Sequence, residues 1–156
     1  MAGAQLFRGA RWALVPCDRT DEEALRRIGL LVRALGAEPL HMDAVTHDQM
    51  VALTSQLPAV LAVGLVELVA GTGGTEGELL AGPGFTSASR LADGEPLMTA
   101  QMLTENADNL GRAIEAAIGR LIDLKRALAD DLTELWERLA DARRVRSSLL
   151  RVPADQ

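Results

Sequence analysis

The stretch from Ala44 to Ala70 reads AVTHDQMVALTSQLPAVLAVGLVELVA. Past His47 and Asp48 it is nearly all apolar, and Met50, Val51, Leu53, Leu57, Leu61, Leu65 and Leu68 recur at steps of three and four, the period of a helix. A helix apolar on almost every side has to lie among other elements. The expectation is therefore a mainly helical fold with this segment at its centre. Pro58 interrupts the pattern; it lacks an amide donor and clashes with the carbonyl four residues back, which predicts a kink that frees the Thr54 carbonyl. Two readings of the polar groups beside that kink stay open. Ser55 and Gln56 either line a site, or belong to a core helix whose hydroxyls bond their own backbone.

Composition narrows the possible functions. A chain of 156 residues with 48% apolar and 24% charged residues has the make-up of one globular domain. Aromatic residues are only 3% and Tyr is absent, so the core must be built from Leu, Val, Ala and Met, which suits helix packing better than a sheet sandwich. A net charge of −6 repels phosphate backbones and anionic bilayers, so neither nucleic acid nor a membrane is expected as partner. Cys17 is the single cysteine, which excludes an internal disulfide and a thiolate metal cluster. Ser55, Gln56, Pro58 and Glu67 break up the apolar run, which is therefore not read as membrane-spanning. MAGAQLFRGARW at the start has no apolar run of signal-peptide length, and a cytoplasmic location is expected.

Before this stretch lies a β-α-β pattern. Trp12 to Pro16 (WALVP) reads as a buried strand. Thr20 or Asp21 can cap a helix that carries Glu22 and Glu23 in its first turn, buries Ala24, Leu25, Ile28, Leu31, Val32 and Leu35, and stops at Gly36. Ala37 to Met42 then forms a second strand, parallel to the first. Two parallel strands leave edges and a face uncovered, which makes this unit a fragment of a larger sheet or one that borrows strands from another subunit.

After it, GTGGTEG (Gly71 to Gly77) departs from a G-x-G-x-x-G phosphate turn at Glu76 and follows a helix, so a flexible connector is expected. AGPGFTSASRLA (Ala81 to Ala92) reads as an ordered loop fixed by Gly82, Pro83, Gly84 and Phe85. In it Arg90 is either a solvated charge or a clamp for a carboxylate. From Pro96 an apolar stripe runs through Leu97, Met102, Leu110, Ile118 and Leu128, predicting a helix of about thirty residues. Asp131 with Glu134 makes an acidic capping box that breaks it before a last helix with Leu132, Leu135, Leu139 and Val145. One uninterrupted helix fits the same stripe. Two long amphipathic helices with few aromatics favour pairing across a two-fold axis.

Four fragments, in this order and spacing, resemble prephenate dehydrogenases: LFRGARWALVP, His47-Asp48 followed by SQLPA (Ser55 to Ala59), GPGFTSASRLA, and EPLM…N from Glu95 to Asn106. The resemblance covers the chain from Leu6 to about Ser148. It implies a helical dimerisation domain of the 6-phosphogluconate-dehydrogenase-like kind at residues 44–150, preceded at 1–43 by a β-α-β remnant of the nucleotide-binding sheet and followed by a tail at 151–156. It also implies NAD-dependent oxidative decarboxylation of prephenate to 4-hydroxyphenylpyruvate, towards tyrosine, with NAD and the catalytic histidine supplied by a separate Rossmann domain. Arg90 matches the family's carboxylate-pairing arginine, and Asn106 a helix asparagine.

Three departures qualify this. No glycine fingerprint or HPxxG-type histidine is present, so no catalytic, cofactor or metal residue is assigned. Gln56 and Ala59 stand where both histidines of the usual SHLPH lie, and Thr99 replaces a tryptophan. The candidate substrate contacts are Arg90, Ser55, Gln56 and His47, a protonated His47 adding charge. Two functions compete: the substrate-closing, dimerising half of a prephenate dehydrogenase, inactive as this chain alone, or a stand-alone dimeric module that senses a carboxylate such as an aromatic amino acid.

Overall fold

The computed structural model describes residues 5–150. They form two compact units: residues up to Met42 together with those from Ala116 onward, and Asp43–Glu115.

In the first unit, β1 (Arg11–Leu14) and β2 (Glu38–His41) pair in parallel, Arg11 opposite Glu38 and Leu14 opposite His41. Between them runs α1 (Glu22–Ala34). Asp21 caps α1 as expected, its carboxylate accepting from the Ala24 amide at 2.7 Å. Gly36 ends it at φ +79, a left-handed conformation that a side chain would strain. Leu14, Val32 and Ala37 form the core, with Ala10 and Leu25 against it.

The burial expected here is only half realised. Ile28 and Leu31 of α1, Leu35 just after it and Trp12 of β1 are exposed. A two-stranded sheet covers one side of one helix, and among the described residues no further strand pairs with it.

The same unit takes in the end of α7 (Ala107–Asp130) and all of α8 (Leu132–Leu149). Asp131 separates these helices with extended backbone, and its carboxylate accepts from the Glu134 amide at 2.9 Å. The acidic cap therefore makes two helices of what the stripe alone allowed to be one.

The second unit opens with α2 (Ala44–Val51), capped by Asp43, which accepts from the Thr46 amide at 2.9 Å and the Thr46 hydroxyl at 2.7 Å. The chain continues through a π-helical turn at Ala52–Gln56 into α3 (Leu57–Leu68), through a second π turn at Val69–Gly73, and into α4 (Gly74–Leu80). This helical run of 37 residues is long and apolar enough to cross a membrane by length and composition.

Three expectations are corrected here. The central helix is not buried all round: Ala52, Gln56, Ala59 and Ala62 are its buried line, while Leu53, Leu61 and Leu68 are exposed. The three alanines on this line are small enough for neighbouring backbone to come close, so this line and not Leu53, Leu61 or Leu68 faces inward. The glycine-rich GTGGTEG is helical on both sides of a break: a π turn ends at Gly73, Gly74 turns the chain at φ +51, a conformation that glycine adopts without strain, and α4 follows. The GPGFTSASRLA segment is a short helix, α5 (Pro83–Ser89), and a 3-10 turn (Arg90–Asp93), both packed on α3.

Downstream, α6 (Pro96–Glu105) is capped by Glu95, which accepts from the Met98 amide at 2.6 Å. The helix of about thirty residues expected from Pro96 is interrupted at Asn106, where φ is −122 and ψ is 28.

Candidate functional site

The segment before Pro58 accommodates the proline by widening. The Leu57 amide donates to the Ala52 carbonyl five residues back, inserting a π turn at Ala52–Gln56 ahead of the residue that cannot donate. The Thr54 hydroxyl bonds the Met50 carbonyl at 2.8 Å, the local backbone bond of the second reading above. Such turns recur at functional sites because they point consecutive side chains in directions an α-helix does not allow. Here they separate Ser55, exposed, from Gln56, only 3% exposed.

Gln56 is held within the chain at both ends of its carboxamide. Its Nε2 donates to the Met102 carbonyl at 3.1 Å, and its Oε1 accepts from Asn106 Nδ2 at 2.9 Å. Asn106 Nδ2 also donates to the Asp48 carbonyl at 2.8 Å, so both its hydrogens are used. Asn109 Nδ2 donates to Asn106 Oδ1 at 2.7 Å, and the Arg112 guanidinium donates to Asn109 Oδ1 at 2.6 Å. All donors in this relay point from the Arg112 cation towards the carbonyls of Asp48 and Met102. The two Gln56 bonds engage Oε1 and one of the two Nε2 hydrogens of a buried carboxamide and fix its orientation. Gln56 is thus a tie from the π turn to the α6–α7 junction.

His47 is half-buried on α2, with Nδ1 2.9 Å from Asp48 Oδ1. That contact uses one ring nitrogen and fixes the imidazole beside a carboxylate. Arg90 begins the 3-10 turn that packs on α3, and it is exposed. Among the described residues its guanidinium makes no side-chain hydrogen bond or ion pair, whereas Arg26, Arg27, Arg126, Arg138 and Arg144 each pair with an acid. The Arg90 turn packs on α3, the helix that follows the π turn holding Ser55 and Gln56, and no hydrogen bond joins the three. An unpaired guanidinium offers a planar, two-pronged donor set to a carboxylate.

Met102, Asn109 and Arg112 were not anticipated. The signal was present in the spacing of Asn106, Asn109 and Arg112 at steps of three, which places them on one helix face.

The glycines Gly71, Gly73 and Gly74 lie within helical turns. A nucleotide's phosphates need a turn of free backbone amides after a strand, so this stretch does not fit NAD.

Residues 43–142 match the family model described as "Prephenate dehydrogenase, dimerization domain". A cyclohexadienyl dehydrogenase of Zymomonas mobilis is 30% identical over 150 residues, covering 94% of this chain and 51% of that protein. The crystal structure of prephenate dehydrogenase from A. aeolicus in complex with hydroxyphenyl propionate and NAD+ superposes with a TM-score of 0.84 at 27% identity, over 93% of this chain and 52% of that one. Synechocystis arogenate dehydrogenase gives a TM-score of 0.81 at 26% identity, over 94% and 54%. The chain thus spans about half the length of these relatives. With the dimerization-domain match extending over most of its residues, this chain belongs to the prephenate dehydrogenase family.

Proposed function

We propose that this chain is the substrate-closing and dimerising half of a prephenate dehydrogenase, an oxidoreductase of aromatic amino acid biosynthesis that makes 4-hydroxyphenylpyruvate from prephenate in the cytoplasm. The match of residues 43–142 to the dimerization domain carries this reading. NAD, which takes the hydride in such a reaction, is held by a Rossmann domain outside these residues or on a second polypeptide. Within this chain, Arg90 holds a carboxylate of the substrate, the Ser55 hydroxyl donates to a neighbouring oxygen, and His47 adds positive charge when protonated. Gln56 acts from behind, holding the turn that presents Ser55. The chain is a homodimer in which exposed apolar side chains of α7 and α8 between Leu121 and Leu139 are covered by a second copy.

A second reading, a dimeric sensor of an aromatic carboxylate, gains support from Gln56 and Ala59. An amide committed to Met102 and Asn106 cannot relay protons as an imidazole can.

The test is thermal stabilisation of the chain by prephenate, 4-hydroxyphenylpyruvate and tyrosine. Arg90→Ala is expected to weaken binding by about 2 kcal/mol, the scale of a lost charged hydrogen bond, and Arg90→Lys to recover only part, since an ammonium lacks the fork. Stabilisation by tyrosine alone favours the sensor. Equal shifts in wild type and both variants would reduce Arg90 to a solvated charge.

A further inference from the structure

One nitrogen atom joins two points of the central helical run. Asn106 Nδ2 donates to the Asp48 carbonyl at 2.8 Å and to Gln56 Oε1 at 2.9 Å. These two residues bracket the π turn: Asp48 lies in α2, where its carbonyl also accepts from the Ala52 amide, and Gln56 is the last residue of the turn. In an unbroken α-helix residues eight apart stand about 80° apart around the axis. The π turn takes up one residue more than an α turn, which rotates the later residue back towards the face of the earlier one. The widened turn therefore lets a single amide reach both residues, and the amide in return holds the turn closed from the side.

The direction of that amide is set from further along α7. Asn109 Nδ2 donates to Asn106 Oδ1 at 2.7 Å, which leaves the two Asn106 hydrogens facing Asp48 and Gln56, and the Arg112 guanidinium holds the Asn109 oxygen at 2.6 Å. All of these residues belong to the unit Asp43–Glu115. The residue before each stapled one is a candidate substrate contact: His47 before Asp48, half-buried, and Ser55 before Gln56, exposed. They are likewise eight apart, so whatever aligns Asp48 with Gln56 aligns them too. His47 is tied to the same point a second time, through its ring nitrogen 2.9 Å from Asp48 Oδ1. We infer that Asn106 is a positioning residue of the substrate site: by joining the two ends of the π turn it sets His47 and Ser55 on one face of the run, where one ligand can meet both, and it does so without touching the ligand. The inference rests on the reading of His47 and Ser55 as substrate contacts given above, and adds what fixes their mutual geometry.

The test is isothermal titration of the whole chain with prephenate, the folding of every variant being checked by circular dichroism. Asn106→Asp keeps the acceptor for Asn109 but sets an oxygen against the Asp48 carbonyl and Gln56 Oε1, and should raise the prephenate dissociation constant about tenfold or more. In a His47→Ala/Ser55→Ala background the same change should add less than about twofold, because the groups it places are gone. A second pair of variants leaves Asn106 itself intact. The carboxylate of Asn109→Asp attracts Asn106 Nδ2, turns the amide over and opens the staple, whereas Asn109→Ala removes more atoms but supplies nothing to turn the amide. Binding should therefore be weaker in Asn109→Asp than in Asn109→Ala, by about threefold or more. Equal losses from Asn106→Asp in both backgrounds, or Asn109→Ala binding as weakly as Asn109→Asp, would overturn the positioning role while leaving prephenate as the ligand. A wild-type chain that takes up no prephenate at millimolar concentration would overturn the substrate reading, and this inference with it.

Discussion

The Gln56–Asn106 junction and the β-α-β unit carry opposite kinds of unfinished business. At the junction every polar atom named above is bonded: a buried carboxamide, two asparagines and an arginine form one relay onto two carbonyls. In the β-α-β unit the polar backbone is paired across two strands, yet Ile28, Leu31 and Leu35 face outward. One region is complete within the chain; the other has an apolar face that asks for more protein. The difference teaches where stability resides and where association does. A satisfied polar network is costly to break because each lost partner strands another, whereas an exposed leucine has little left to lose.

The sharpest way to break that contrast is Gln56→Ala. It leaves the Met102 carbonyl and one Asn106 hydrogen without partners in a partly buried place, and should lower unfolding stability by about 2 kcal/mol in urea titration. Asn106→Ala should cost a similar amount, and the double variant less than the sum, because both remove the same link. Additive losses would mean that the two side chains do not act as one network.

A smaller effect comes from pH. The Asp43 carboxyl is held below its ordinary value of 3.8 mainly by the Thr46 amide, with the Thr46 hydroxyl second. A depressed folded-state value stabilises the fold above the unfolded one, and that contribution is lost as pH falls through the folded value. Stability should therefore drop more steeply below about pH 4 in wild type than in Asp43→Asn. Parallel curves would remove Asp43 from the account.

Smallest of all should be Leu31→Gln in the open unit, within about 0.5 kcal/mol by the same titration, as for surface positions generally. A loss of 2 kcal/mol there would show that the face is covered within the isolated chain, and would erase the contrast between the two regions.

What could be read directly from the sequence was local. Asp21 before Ala24, Asp131 before Glu134 and Gly36 after the α1 pattern act through atoms three or four residues away, so their spacing is the interaction itself. The parallel β-α-β order follows likewise from chain connectivity, and the four fragments in register carried the family. The break at Asn106 was invisible, because its partners are Asp48 and Gln56, 58 and 50 positions earlier. The same distance hid the commitment of Gln56, whose carboxamide looks identical in sequence whether it meets a ligand or a carbonyl. The periodicity marked an apolar helix around Pro58, but only tertiary packing decided that Ala52, Ala59 and Ala62 turn inward and Leu53, Leu61 and Leu68 outward. The reason is geometric: periodicity records which faces are apolar, while the space left by neighbouring helices decides which of those faces is covered.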